Sequence, residues 1–135
     1  MYTFLIKTLR SLVTSNDEMY ALVSNRVYPR KVDLAENPTY PLIVFGALTS
    51  QPLFAQGDTY VDDIILEFSC ISEESFDQSL EIFTLLHGIL NDATASDGDR
   101  SFVITKDSGA IDATGRYGDR LLYVTSSTWR VRTIG

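Results

Sequence analysis

The stretch that decides the fold runs from Thr59 to Ala93, TYVDDIILEFSCISEESFDQSLEIFTLLHGILNDA. Ile64, Leu66, Phe68 and Cys70 alternate with Ile65, Glu67, Ser69 and Ile71. A period of two marks a strand with one face in a core. Ser72 to Asp77 then carries polar turn and cap residues, and Ser75 with Gln78 three positions on fits a capping box. Beyond it Phe76, Leu80, Phe83, His87 and Leu90 recur at steps of four and three, as on one helical face. Ile82, Leu86 and Ile89 widen that face, so the helix is expected to be mostly buried. A strand that breaks at a capped turn and runs into the longest helix fixes the fold class. It names no function.

Working back from this pair, Thr49 to Asp58 (TSQPLFAQGD) contains Pro52 and Gly57 and predicts a long hairpin connection rather than a regular element. Leu53 and Phe54 within it are apolar residues on a loop, which either meet a partner or tuck back onto the domain. Leu42 to Leu48 is a continuous apolar run with β-branched and aromatic members, a buried strand. Arg30 to Thr39 is polar and irregular, and Pro38 and Pro41 bracket Tyr40. Arg26-Val27-Tyr28-Pro29 is a short extended piece closed by proline. Tyr2 to Thr14 reads as a first helix, with Leu5, Leu9, Leu12 and Val13 on one side. Ser15 and Glu18 fit a second capping box opening a short helix through Met19, Leu22 and Val23, ended by Ser24-Asn25.

Working forward, Thr94 to Arg100 is a polar turn, Ser101 to Lys106 a short strand, and Asp107 to Asp119 a second loop with three glycines. Arg120 to Ile134 is the last strand, in which Leu122 and Val124 alternate with Tyr123 and Thr125, and Trp129 and Val131 with Arg130 and Arg132. No repeat, low-complexity tract or linker interrupts residues 1–135. The expectation is therefore one α+β domain of order α-α-β-β-α-β-β, with an antiparallel sheet of about four strands and helices packed on one face.

Composition narrows the function classes. With 44% hydrophobic and 21% charged residues the chain has the balance of a folded protein. No apolar run approaches the ~20 residues that cross a bilayer, and the N-terminus lacks the basic region and cleavage site of a signal peptide. A single cysteine, Cys70, allows no intrachain disulfide and suits the cytosol. A net charge of −7 disfavours tight binding to nucleic acid or to anionic membranes.

Candidate chemistry is sparse. His87 is the only histidine and lies on the apolar face of the main helix, as a packed core or interface residue would. Cys70 is in phase with Leu66 and Phe68, a small buried hydrophobe. One His and one Cys exclude an ordinary zinc site. Asp62 and Asp63 are adjacent on a strand and point to opposite faces. Asp97-Gly98-Asp99 starts like a calcium loop, but the twelfth position falls on Ser108, where a glutamate is needed. The glycines from Gly109 to Gly118 carry neither a Walker lysine nor dinucleotide spacing. No catalytic residue, metal ligand or cofactor site emerges. Arg130 and Arg132 share one strand face, where they could serve an ionic contact between subunits.

The order of these features resembles the tail-completion, or tail-terminator, proteins of long-tailed bacteriophages. The resemblance rests on Thr8 to Val13 in the opening helix, Ala21-Leu22-Val23, and Arg26-Val27-Tyr28-Pro29 as the family's R-[IV]-Y-P step. It continues through Tyr40-Pro41-Leu42-Ile43-Val44-Phe45, where the family more often has the proline before the aromatic, and through Phe68 to Glu73. It implies a structural role without catalysis or cofactor: a ring, typically a hexamer, on the last ring of the tail tube. Such a ring stops tube growth and presents the surface that joins a head-completion (stopper) or adaptor protein of the filled head. It lets DNA pass without specific binding. The location implied is the virion neck, assembled in the host cytoplasm. The candidate interface residues are Leu53, Phe54, Gln56 and Asp58 on the first loop and Asp107, Asp112, Arg116 and Tyr117 on the second. Arg130 and Arg132 join them on the last strand, whose edge is a candidate for meeting the next subunit. The rival readings are another neck protein bound to the portal, a small-molecule-binding or enzymatic α+β domain with a cavity near His87, and an acidic binding module acting through Leu53 and Phe54.

Overall fold

A computed structural model describes residues 2–29, 38–56, 59–97, 100–117 and 119–134. The elements in order are α1 (Tyr2–Thr14), α2 (Asp17–Val23), β1 (Val27–Tyr28), β2 (Leu42–Gln56), β3 (Thr59–Ser72) and α3 (Phe76–Leu90). Then follow β4 (Thr94–Asp97), β5 (Arg100–Lys106), β6 (Ile111–Asp112), β7 (Gly115–Tyr117) and β8 (Arg120–Ile134). All strands belong to one eight-stranded sheet of order β1-β2-β3-β8-β5-β4, with β6 and β7 also pairing with β8. Only β1 runs parallel to its neighbour. The α+β class stands, but the sheet has twice the expected strands, and three expected turns or loops contribute to it.

The first correction concerns Thr49 to Asp58. β2 runs through this stretch to Gln56 and pairs with β3 as far as Gln56 opposite Thr59. Proline is tolerated because of where it sits. Ile43 donates its N–H outward to the Arg26 carbonyl, just before β1, and the single register shift between them, at Ala47/Thr49, carries Pro52 to an outward position too. No described strand lies there, so the missing N–H costs no ladder bond. The second correction concerns the turn at Thr94, which is β4 paired to β5. The third concerns Asp107 to Asp119, where β6 and β7 follow β5 along the same edge of β8. A fourth follows from these: Arg120 to Ile134 is no sheet edge, because β3 flanks it on one side and β5, β6 and β7 on the other.

The β3–α3 pair forms as the alternation requires. Ile64, Leu66, Phe68 and Cys70 are buried under the helices, joined by Ile43, Phe45, Trp129, Val131, Phe102 and Ile104 from neighbouring strands. Phe45 and Phe68 stack with centroids 4.9 Å apart. The helices supply Leu5, Leu9 and Val13 from α1, Met19 and Val23 from α2, and Ile82, Phe83, Leu86 and Leu90 from α3. The buried stripe of α3 is thus Ser79-Ile82-Phe83-Leu86-Leu90, rotated from the expected one. Leu80 is 40% exposed. Ser79 displaces it because its Oγ reaches the Cys70 carbonyl, at 2.7 Å, and the Thr125 hydroxyl, at 2.8 Å.

Caps follow the expected chemistry with different partners. Ser75 caps α3 by accepting from the Gln78 N–H, but the Gln78 amide turns away to Ser72 and Glu74. The Ser75 N–H goes to Ser72 Oγ instead. At α2 the cap is Asn16, not Ser15, with its side chain accepting from the Met19 N–H. Arg26 ties the end of α2 to the start of β2 through the Leu22 and Pro41 carbonyls. Arg10 binds α1 to the Asn25 and Val27 carbonyls.

Candidate assembly surface

The helices cover one face of the sheet, and the other face carries the exposed features. Leu42, Ile71 and Val124 stand in one line across β2, β3 and β8 on that helix-free face. With Leu122 they form a second small core, flanked by Tyr28, Tyr40, Val44 and Ala113. Leu122 and Val124 therefore do not share a face with Trp129 and Val131: the register between β3 and β8 is unbroken, so even and odd positions of β8 point to opposite sides throughout. The apolar parity of the sequence changes midway. Read along its even positions, the helix-free side of β8 passes from Leu122 and Val124 through Ser126 and Thr128 to Arg130 and Arg132.

A groove of about 560 Å³ lies on this face. Val44, Ile71 and Val124 contribute to its floor, Ile111 and Tyr117 bound it, and Glu67 is on its rim. Ile111 is 59% exposed, a large apolar side chain with no cover among the described residues. Tyr117 is fixed by a hydrogen bond from its hydroxyl to the Ala113 carbonyl. Ser69 and Ser126 hydroxyls meet at 3.0 Å on the same face. The arrangement offers apolar contact and hydroxyls. It holds no nucleophile–base pair.

The candidate residues fall into separate places. Asp107 lies beside the end of β8, where its carboxylate accepts from the Thr128 hydroxyl at 3.2 Å and faces Arg130 at 3.9 Å. Arg132 is exposed two positions further on, next to Thr94, Ser96 and Val103 at the β4 end. Asp112 and Arg116 are exposed on β6 and β7. Hydrogen bonds from the Thr114 hydroxyl and N–H hold the Asp112 carboxyl below its ordinary range. Tyr117 borders the groove, so of the second-loop candidates only it joins the apolar patch. Leu53, Phe54 and Gln56 are placed as backbone positions of β2. Asp58 lies outside the described residues. Arg26 is a strut, with its guanidinium donating to the Pro41 and Leu22 carbonyls. The groove residues Val44, Glu67, Ile71, Ile111, Leu122 and Val124 were not singled out from the sequence. Their signal was the parity change in β8 and a lone isoleucine in a polar loop.

His87 touches Phe83 and Trp129 by tilted ring contacts at 6.1 and 5.8 Å, as the packing reading expects. Cys70 is fully buried, and that burial pushes its thiol pKa far up, away from the reactive thiolate. Among the described residues no group of three or more His, Cys, Asp or Glu is placed to hold a metal ion. No described helix is long and apolar enough to cross a membrane.

Comparison with known proteins adds a fold. No family model matches the chain, and no curated protein matches it. Among solved structures, the same α+β architecture occurs in a virion protein. That structure is described as the virion of a native gene transfer agent particle, and one of its chains is similar over 97% of this chain and 95% of its own length. The TM-score is 0.68 at 15% sequence identity, a likeness of fold.

Proposed function

We propose that this chain is a structural protein of a phage-like virion, a tail terminator that closes as a ring on the end of the tail tube. The observation that carries this reading is the fold held almost end to end in common with a chain of a gene transfer agent virion. The sequence pattern supports the finer assignment, since the Arg-Val-Tyr-Pro step and the strand-to-helix junction occur in the order of the tail-terminator family. The ring has six copies, as in that family. It ends tube growth and offers its far side to a head-completion or adaptor protein. DNA crosses the bore without specific binding, consistent with a chain of net charge −7, which offers phosphates little to hold. The chain works in the virion neck and needs no cofactor.

The test is mass by light scattering, for the protein alone and mixed with polymerised tail-tube protein. A species of six times 15.1 kDa, or rings confined to tube ends with growth arrested, is the expected result. A protein that ignores tubes and binds the portal instead would move the assignment to an adaptor. One that binds neither would overturn the virion reading.

A further inference from the structure

The ends of the sheet carry an inference that rests on the ring reading and specifies its contact. β1 covers β2 only at Ile43 and Val44. From Phe45 onward no described strand lies on the outer side of β2. Residues 42–56, LIVFGALTSQPLFAQ, contain no charged residue. Natural open edges are normally guarded by Lys, by inward charges, by proline or by bulges, and here Pro52 and the two register shifts stand in for charge, leaving Phe45 to Ala47 unguarded. At the other end, β4 pairs only with β5, so its outer side is open too among the described residues.

Direction and parity make these two edges complementary. Each step from β2 through β3, β8 and β5 to β4 is antiparallel, so β4 runs in the same direction as β2. Copies related by rotation about an axis along the strands therefore bring β4 against β2 in parallel. Parity gives the same answer independently. On β2 the outward backbone groups belong to Phe45 and Ala47, and Phe45 is buried with Ile43 on the helix-covered face. On β4, Ala93 accepts from the Ile104 N–H, so Ala93 and Ala95 face β5 while Thr94 and Ser96 point their backbone groups outward. In a parallel ladder an outward-bonding residue sits opposite one whose groups point away and bonds to that residue's two neighbours. Ala47 then fits opposite Ala95, a register that keeps Phe45 and Ala95 on the helix side. An antiparallel match of outward residues would instead oppose Ala47 to Thr94 or Ser96 and turn the helices to opposite faces.

We propose that the outer edge of β2, from Phe45 to Thr49, pairs in parallel with the outer edge of β4 in a second copy, with all helices on one side of the joined sheet. Each subunit uses one edge of each kind, so the contact is heterologous, the kind that builds a ring, and it covers the whole of β4 and the unguarded start of the β2 edge. Pairing β2 with β2 of a second copy also keeps the helices together, but it stops at a dimer and leaves β4 open.

Proline substitutions separate these cases, because each removes one outward N–H that makes no ladder bond to a described strand. Ala47→Pro blocks the β2 edge and Ser96→Pro the β4 edge, with Thr94→Pro as the replacement if Ser96→Pro does not fold by circular dichroism. At a concentration where the wild type is a ring, each variant alone is expected to scatter as a monomer of 15.1 kDa. An equimolar mixture retains one intact edge of each kind and is expected to form dimers only, at twice that mass. Ser96→Pro persisting as a ring or a dimer would overturn the β2–β4 pairing while leaving the ring reading intact. A wild type that stays monomeric both alone and with tubes would remove the ring itself.

Discussion

The two faces of the sheet are built from the same strands and behave differently. The helix-covered face buries Trp129, Phe45, Phe68 and Leu66 completely, or to within 1% exposure. Its polar groups are paired: the Trp129 indole donates to Ser127 Oγ at 2.9 Å, and Ser79 bridges α3 to β3 and β8. The helix-free face buries four apolar side chains beside an open groove. One face is sealed by a layer of helices, whereas among the described residues the other has only short strands and loops to shelter it. The fold is secured on the first face, and the second is left with apolar surface to offer.

The largest effect expected from this difference comes from truncating each core in turn. Phe68→Ala removes a stacked ring from under the helices and is expected to cost about 3–5 kcal/mol of unfolding free energy. Leu122→Ala empties a site whose surroundings border solvent and can close in, so a loss nearer 2 kcal/mol is expected. Urea unfolding of both variants gives the comparison. Equal losses would mean that the helix-free cluster is as well sealed as the main core, and the contrast between the faces would fail.

A smaller effect sharpens the same contrast through polar groups. Ser79→Ala leaves the buried Thr125 hydroxyl without its neighbour on α3 and the Cys70 carbonyl without this donor. A loss of about 1–2 kcal/mol is expected, since a buried polar group stripped of its partner bears its desolvation alone. Ser126→Ala on the other face breaks a hydroxyl pair that is only partly buried. Its change should stay within about 0.5 kcal/mol, because water can replace the partner. Unfolding curves in which the two serines matter alike would count against the difference in sealing.

How much of this was legible depends on the range over which each signal acts. The alternation in β3, the Ser75 cap and the apolar period of α1 are local, and each produced its element. The stripe of α3 lies about one position from where hydrophobicity puts it, because Leu80 outranks Ser79 on that scale. What decides that contact is a hydrogen bond across 46 residues to Thr125. Sequence ends β2 at Leu48 because Pro52 forbids a central strand, and it does not say that no described strand flanks the outer side there. β4, β6 and β7 are two to four residues long and polar. They become strands only because β8 and β5 offer them a ladder. The assembly surface was legible in part. Tyr117 borders the groove, but the groove itself depends on which parity of β8 faces the helices, and that is set by pairing with β3.

The smallest expected effect falls on Tyr40, at the margin of the helix-free cluster. Its hydroxyl is buried with no hydrogen-bond partner among the described residues, and the Arg120 guanidinium lies 5.9 Å from its ring centre. Burial raises its pKa above the ordinary 10.0, Glu73 adds to the rise, and Arg120 opposes it. The folded chain thus keeps this proton at pH values where the unfolded chain begins to lose it. Stability from this source is intact below pH 10 and falls as pH climbs from there toward the raised value. Tyr40→Phe removes both the orphaned hydroxyl and the ionisation. Near neutral pH the variant should match the wild type or gain up to about 1 kcal/mol, and its stability should decline less steeply above pH 10. Thermal unfolding from pH 8 to pH 11 reads both effects. A variant clearly less stable at pH 8 would show that the hydroxyl has a partner after all, and that this margin of the open face is as carefully satisfied as the face beneath the helices.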